Sequence, residues 1–149
     1  MSIIFEIKKI LGLADFHPDF GTYYIKQPGE AEDALACVAM VLNYYDQYTP
    51  ISSFRKKYRH FRNTATVSEL TKLCNLSGLS TEHFEGDFLE LKNVDMPCII
   101  RWRMNRYAVL LKVNHETYSI FDPVCERYEY QQYEVECYYC ESALICKKQ

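Results

Sequence analysis

Gln27-Pro28-Gly29-Glu30-Ala31-Glu32-Asp33-Ala34-Leu35-Ala36-Cys37-Val38-Ala39-Met40-Val41-Leu42-Asn43-Tyr44-Tyr45 is the stretch on which the reading of this chain turns. Pro28-Gly29 is a turn signal. From Glu32 to Tyr45 the apolar residues recur at helical spacing, with Leu35, Cys37, Val38, Val41, Leu42 and Tyr45 as the buried stripe. Glu32 and Asp33 fall at the start, where carboxylates suit the positive end of the helix dipole. The pattern predicts a helix over 32–45. Cys37 lies one turn in on its apolar stripe and reads as a core thiol.

Outward from this helix the pattern changes character once. Residues 2–12 place Ile3, Ile4, Phe5, Ile7, Ile10 and Leu11 as a short amphipathic helix, so 1–20 reads as a helical extension of a single domain over 1–149. Residues 21–26 read as a short strand. Pro50 opens a second helix through Ser52 to Tyr58. Thr66-Val67-Ser68-Glu69 has the spacing of a capping box and starts a third, which Gly78 ends. Beyond Gly78 the periodicity becomes that of strands: Leu79–Phe84, Cys98–Trp102, Tyr107–Asn114, Tyr118–Asp122 and Arg127–Tyr130. A helical turn at Asp87–Leu91 and a polar turn at Asn114-His115-Glu116 interrupt them. Alternation through Tyr133 to Cys140 predicts a closing strand. Helices first and strands last is the order of an α+β domain.

Composition narrows the function classes. The chain has 149 residues, a formal net charge of −3 and 48% hydrophobic residues, a globular balance with no electrostatic footprint for nucleic acid. No apolar run approaches the ~18 residues of a membrane span, so direct membrane insertion is not expected. Seven cysteines are an odd number, and reduced thiols in a cytoplasmic setting account for them most simply. Cys137-Tyr138-Tyr139-Cys140 has the spacing of half a zinc site, but its second half is missing. No metal or cofactor is expected.

The stretch from Gln27 to Tyr45 resembles the opening of the peptidase C39 family, the bacteriocin-processing double-glycine peptidase domains of ABC exporters. Gln27, Cys37, Ala39, Met40, Tyr44 and Tyr45 match that family's pattern as they stand. Pro97 to Leu111 resembles its second signature segment, and Asp122-Pro123 matches its Asp-Pro pair. The resemblance implies a papain-like cysteine peptidase fold, with N-terminal helices packed on a C-terminal antiparallel sheet. It also implies site positions: Gln27 for the oxyanion glutamine and Asp122 for the aspartate that orients the histidine.

The departures fall on the chemistry itself. A gapless alignment puts Asp33 on the family's cysteine, Ala34 on the following glycine and Arg106 on the histidine. A one-residue shift would put Ala34 on the cysteine, at the cost of a deletion before Cys37 and a longer spacing from Gln27. Neither register supplies a thiol. A carboxylate cannot replace a thiolate, and arginine stays protonated and is no base. Retaining the fold would set Asp33, Arg106 and Asp122 as alternating charges, which predicts a salt-bridge network with Arg106 between the two carboxylates. An Asp so paired should have a lowered pKa.

The resemblance therefore implies a catalytically inactive domain that binds a leader or cargo peptide. It would be part of an ABC exporter or a partner of one, in the cytoplasm or at the cytoplasmic face of a bacterial inner membrane. Trp102, Tyr107, Tyr44 and Tyr45 are candidate neighbours of the peptide groove and equally candidates for core. Two alternatives remain open from sequence: an altered hydrolase using Asp33 as base or Cys98 as a displaced nucleophile, and a regulatory scaffold that binds an active exporter peptidase.

Overall fold

Alternation along the strands sorts the apolar residues into two cores, one on each face of a single sheet. The computed structural model describes residues 23–48, 50–63 and 66–149. Six strands, β1 (Leu79–Glu85), β2 (Cys98–Trp102), β3 (Arg106–Asn114), β4 (Thr117–Phe121), β5 (Glu129–Gln131) and β6 (Tyr139–Lys148), pair antiparallel in the order β1-β6-β2-β3-β4-β5. Successive strand residues point to opposite faces. Thus Ile99, Tyr107, Val109, Phe121 and Leu144 join the core under the helices. Their neighbours Cys98, Ile100, Trp102, Ala108, Leu110 and Ile145 join the other. The fold is α+β, with the helices largely preceding the strands in sequence.

The first face is covered by α1 (Asp33–Tyr44), α2 (Ile51–Lys57) and α3 (Val67–Leu76). The pattern predicts one buried stripe on α1, yet every residue from Asp33 to Asn43 is buried. Ala34, Ala36 and Ala39, outside the stripe, are buried as well. A helix enclosed all round is a central helix. Pro50 precedes α2 as expected, and Phe54 is its buried anchor. On α3, Thr66 Oγ1 accepts the Glu69 N–H at 3.1 Å and bonds the Glu69 carboxylate at 3.0 Å. Gly78 ends that helix at φ 92°, a left-handed conformation that glycine adopts without a Cβ penalty.

Three expectations need correction or lie elsewhere. Residues 23–26 form no strand; the Gln27 N–H instead donates to Pro123 O at 3.0 Å, tying this segment to the end of β4. The Tyr133–Cys140 alternation is misleading, because a helix, Gln132–Tyr138, occupies most of it. Glu134 is the physical reason, its carboxylate accepting the Gln131 N–H at 3.1 Å and pairing with Arg127 at the helix start. Chain reversal after Tyr138 then delivers β6 between β1 and β2, a central strand. The helix expected at 2–12 and the extension 1–20 lie outside the described residues.

Candidate functional site

The start of α1, the start of β3 and the end of β4 converge, and each contributes a charged side chain. Glu32, just before α1, is buried at 2% exposure. Arg55 grips it with Nε at 2.7 Å and Nη2 at 2.8 Å, and Arg62 adds Nη2 at 3.0 Å. Burial pushes this carboxyl up, but the hydrogen bonds and charges of the two arginines outweigh it and hold Glu32 below the usual range. This clamp fixes the helix start against α2 and the 3-10 turn at Arg59–Phe61. In sequence Glu32 reads merely as an acid at a helix start; Arg55 and Arg62 show no pairing signal because they lie 23 and 30 residues away.

Asp33 is buried at 5% exposure and reaches across to the sheet, where Oδ2 accepts the Tyr107 N–H at 2.7 Å. Asp122 is fully buried at the end of β4. Its Oδ2 accepts from Arg106 Nη2 at 2.9 Å and from Trp102 Nε1 at 3.2 Å, and its Oδ1 accepts the Val124 N–H at 2.9 Å. Arg103 Nε lies 3.8 Å from the same Oδ2. Gln27 Nε2 turns back to Gly29 O at 3.0 Å, while its buried Oε1 has no hydrogen-bond partner among the described residues.

Asp33, Arg106 and Asp122 are thus brought together, but not as the alternating bridge expected from sequence. Arg106 pairs with Asp122, and among the described residues no ion pair joins it to Asp33. The Tyr107 N–H, a group invisible to sequence reading, takes the Asp33 carboxylate instead. The expected lowering of the Asp33 pKa is also reversed. Burial raises it, and the Tyr107 N–H, the residue's own backbone N–H and the Arg106 charge only partly compensate. The folded state therefore favours protonated Asp33. That contribution is fully present below the ordinary Asp pKa of about 3.9 and is lost as pH rises through the folded-state pKa. Asp33→Asn, whose Oδ1 still accepts from Tyr107, should be more stable than the parent at pH 7 in urea titrations. The advantage should shrink on acidification; an advantage independent of pH would contradict this.

Neither Cys37 nor Cys98 stands ready for chemistry here. Cys37 is fully buried, and burial followed by the charges of Asp33 and Asp122 pushes its thiol well up. Cys98 lies on the opposite face of the sheet with Leu91 and Ile100, and burial pushes its thiol up as well. That removes it as a displaced nucleophile for this site. His60, His83 and His115 are exposed, and His83 Nε2 bonds Ser142 Oγ at 2.9 Å. Among the described residues no group of three or more His, Cys, Asp or Glu side chains is arranged to hold a metal ion. Trp102 and Tyr107 are core residues, not groove lining, and the Tyr45 hydroxyl is committed to Cys146 O at 2.7 Å.

Three helices on one face of an antiparallel sheet, the central one starting opposite the start of β3, define the class: an α+β domain. The match to the model of the peptidase C39 family covers residues 21–149, and the chain belongs to that family. It is 25% identical over 118 residues to the colicin V secretion/processing ATP-binding protein CvaB of Escherichia coli, covering 79% of this chain. It is 28% identical over 120 residues to the probable microcin-H47 secretion/processing ATP-binding protein MchF of the same organism, covering 80% of this chain. The match spans 17% of each of these relatives' length. Among solved structures, a double glycine motif protease from an AMS/PCAT transporter, in complex with the leader peptide, superposes with a TM-score of 0.75 at 26% identity, over 85% of this chain and 91% of that one. The peptidase domain of Streptococcus ComA, a bi-functional ABC transporter, superposes at 0.73 with 16% identity, over 86% of this chain and 99% of that one, a likeness of fold. No helix among the described residues is long and apolar enough to cross a membrane.

Proposed function

We propose that this chain is a C39 domain without peptidase activity that binds the leader or cargo peptide of a bacterial ABC-type export system, as a domain of the exporter or as its partner at the cytoplasmic face of the membrane. One observation carries the reading. The start of the central helix holds a buried carboxylate, Asp33, and the start of β3 facing it holds a guanidinium, Arg106, tied to Asp122. In this reading Asp33 and Arg106 occupy the nucleophile and base positions, Asp122 the orienting position and Gln27 the oxyanion position. A carboxylate bound to a backbone N–H cannot form the thioester of a cysteine peptidase, and Arg106 cannot take a proton from a nucleophile.

Peptide binding is supported by the leader complex of the 26% identical relative. It is also supported by the intact scaffold, in which arginines hold the buried carboxylates of Glu32 and Asp122. Calorimetric titration of the purified chain with a synthetic leader peptide ending in Gly-Gly tests the proposal. Saturable binding is expected, and an absence of heat and of complex over the accessible concentration range would contradict it.

A further inference from the structure

The turn joining β2 to β3 is built at a conformational cost and ends in two arginines. Arg103 and Met104 both have positive φ, 49° and 73°, where glycine or asparagine would be the cheaper choice. Arg101 holds the turn in place, its Nε donating to Met104 O at 3.0 Å. Arg103 sits over the Tyr138 ring, Cζ 3.9 Å from its centroid, and Tyr138 in turn packs on buried Trp102 at 5.5 Å. Stacking immobilises the guanidinium plane and leaves its edges free to donate. Arg106 uses Nη2 on Asp122. Among the described residues its other N–H groups, and all those of the Arg103 guanidinium, have no hydrogen-bond acceptor.

Two cations therefore share one buried anion. Asp33 and Glu134 lie close enough for Arg106 and Arg103, respectively, to act on them electrostatically. Their hydrogen bonds, however, go to Tyr107 N–H and to Arg127 and Gln131 N–H, leaving the donors of Arg103 and the remaining donors of Arg106 to another acceptor. The arginines remain partly open, at 36% and 27% side-chain exposure. Met104 at 75% and Val124 at 46% exposure, on the β2–β3 turn and the loop leaving Asp122, add apolar surface. We propose, building on the peptide-binding role above, that Arg103 and Arg106 form a receptor for a carboxylate of the bound peptide, flanked by Met104 and Val124.

The test is fluorescence anisotropy of the full chain with one synthetic leader-type peptide ending in Gly-Gly, prepared in four forms: acidic side chains as Glu or as Gln, each with a free or an amidated C-terminus. Removing the recognised carboxylate should weaken binding about tenfold, as for a charge-assisted bond at a partly open site. The pair of forms that differ reveals whether it is a side chain or the C-terminus. Arg103→Asn suits the left-handed backbone and so should keep the fold by thermal melt. It should abolish the discrimination, with Arg103→Lys intermediate. Equal affinity for all four forms would overturn the receptor and leave the peptide-binding role standing, as would full discrimination by Arg103→Asn. Failure of every form to bind the parent protein would overturn both.

Discussion

Asp33→Cys combined with Arg106→His should switch peptide cleavage on, while neither change alone should do so. Position 33 opens the central helix, where free N–H groups and the dipole lower a thiol's pKa. Position 106 already addresses Asp122, as the 2.9 Å bond from Arg106 Nη2 shows. An imidazole there would have an orienting carboxylate that is fully buried and held by Trp102 Nε1 and Val124 N–H. General base catalysis contributes about 10²–10⁴-fold, so cleavage of a double-glycine leader peptide should exceed that by Asp33→Cys alone by about 10²-fold or more. A folded, peptide-binding double variant with no more turnover than Asp33→Cys would contradict the assignment of these positions.

Asp122→Ala should cost the largest share of stability of any single change near the site, about 3 kcal/mol in urea unfolding. It removes the acceptor of three donors at once. Trp102 Nε1 would be left in a fully buried side chain with no partner, and an orphaned buried donor alone costs about 1–3 kcal/mol. The Val124 N–H would lose the bond that shapes the turn after β4. Arg106, only partly buried, can turn to water, so its share is smaller. Asp122→Asn keeps one acceptor oxygen and should lose clearly less than Asp122→Ala. A loss within about 0.5 kcal/mol, typical of surface changes, would show that Asp122 does not anchor this corner.

The fold was legible wherever local patterns agree with tertiary packing. Pro50, Thr66 and Gly78 bound their helices by short-range chemistry, and β2 spans Cys98–Trp102 as its apolar run predicts. Local signals failed at the C-terminus. Aromatic alternation from Tyr133 suggests a strand, but a helix start secured by Glu134 and Arg127 prevails. β6, although central, begins only at Tyr139 and runs on to Lys148, so the alternation over 133–140 does not locate it. At the site, sequence identified which charged residues converge but not their partners. The backbone N–H of Tyr107 leaves no trace in sequence, and it decides where Asp33 points. The Glu32 clamp was missed for a similar reason, since its two arginines lie on different elements. Burial of Asp33, which sets the sign of its pKa shift, is likewise a property of packing.

Mass spectrometry of a double-glycine leader peptide incubated with the purified, unmodified chain tests the proposed lack of peptidase activity most directly. Only the intact peptide mass should be found, at protein concentrations where binding is saturated. Two fragments separating after the glycine pair, with cleavage abolished by thiol alkylation, would contradict it.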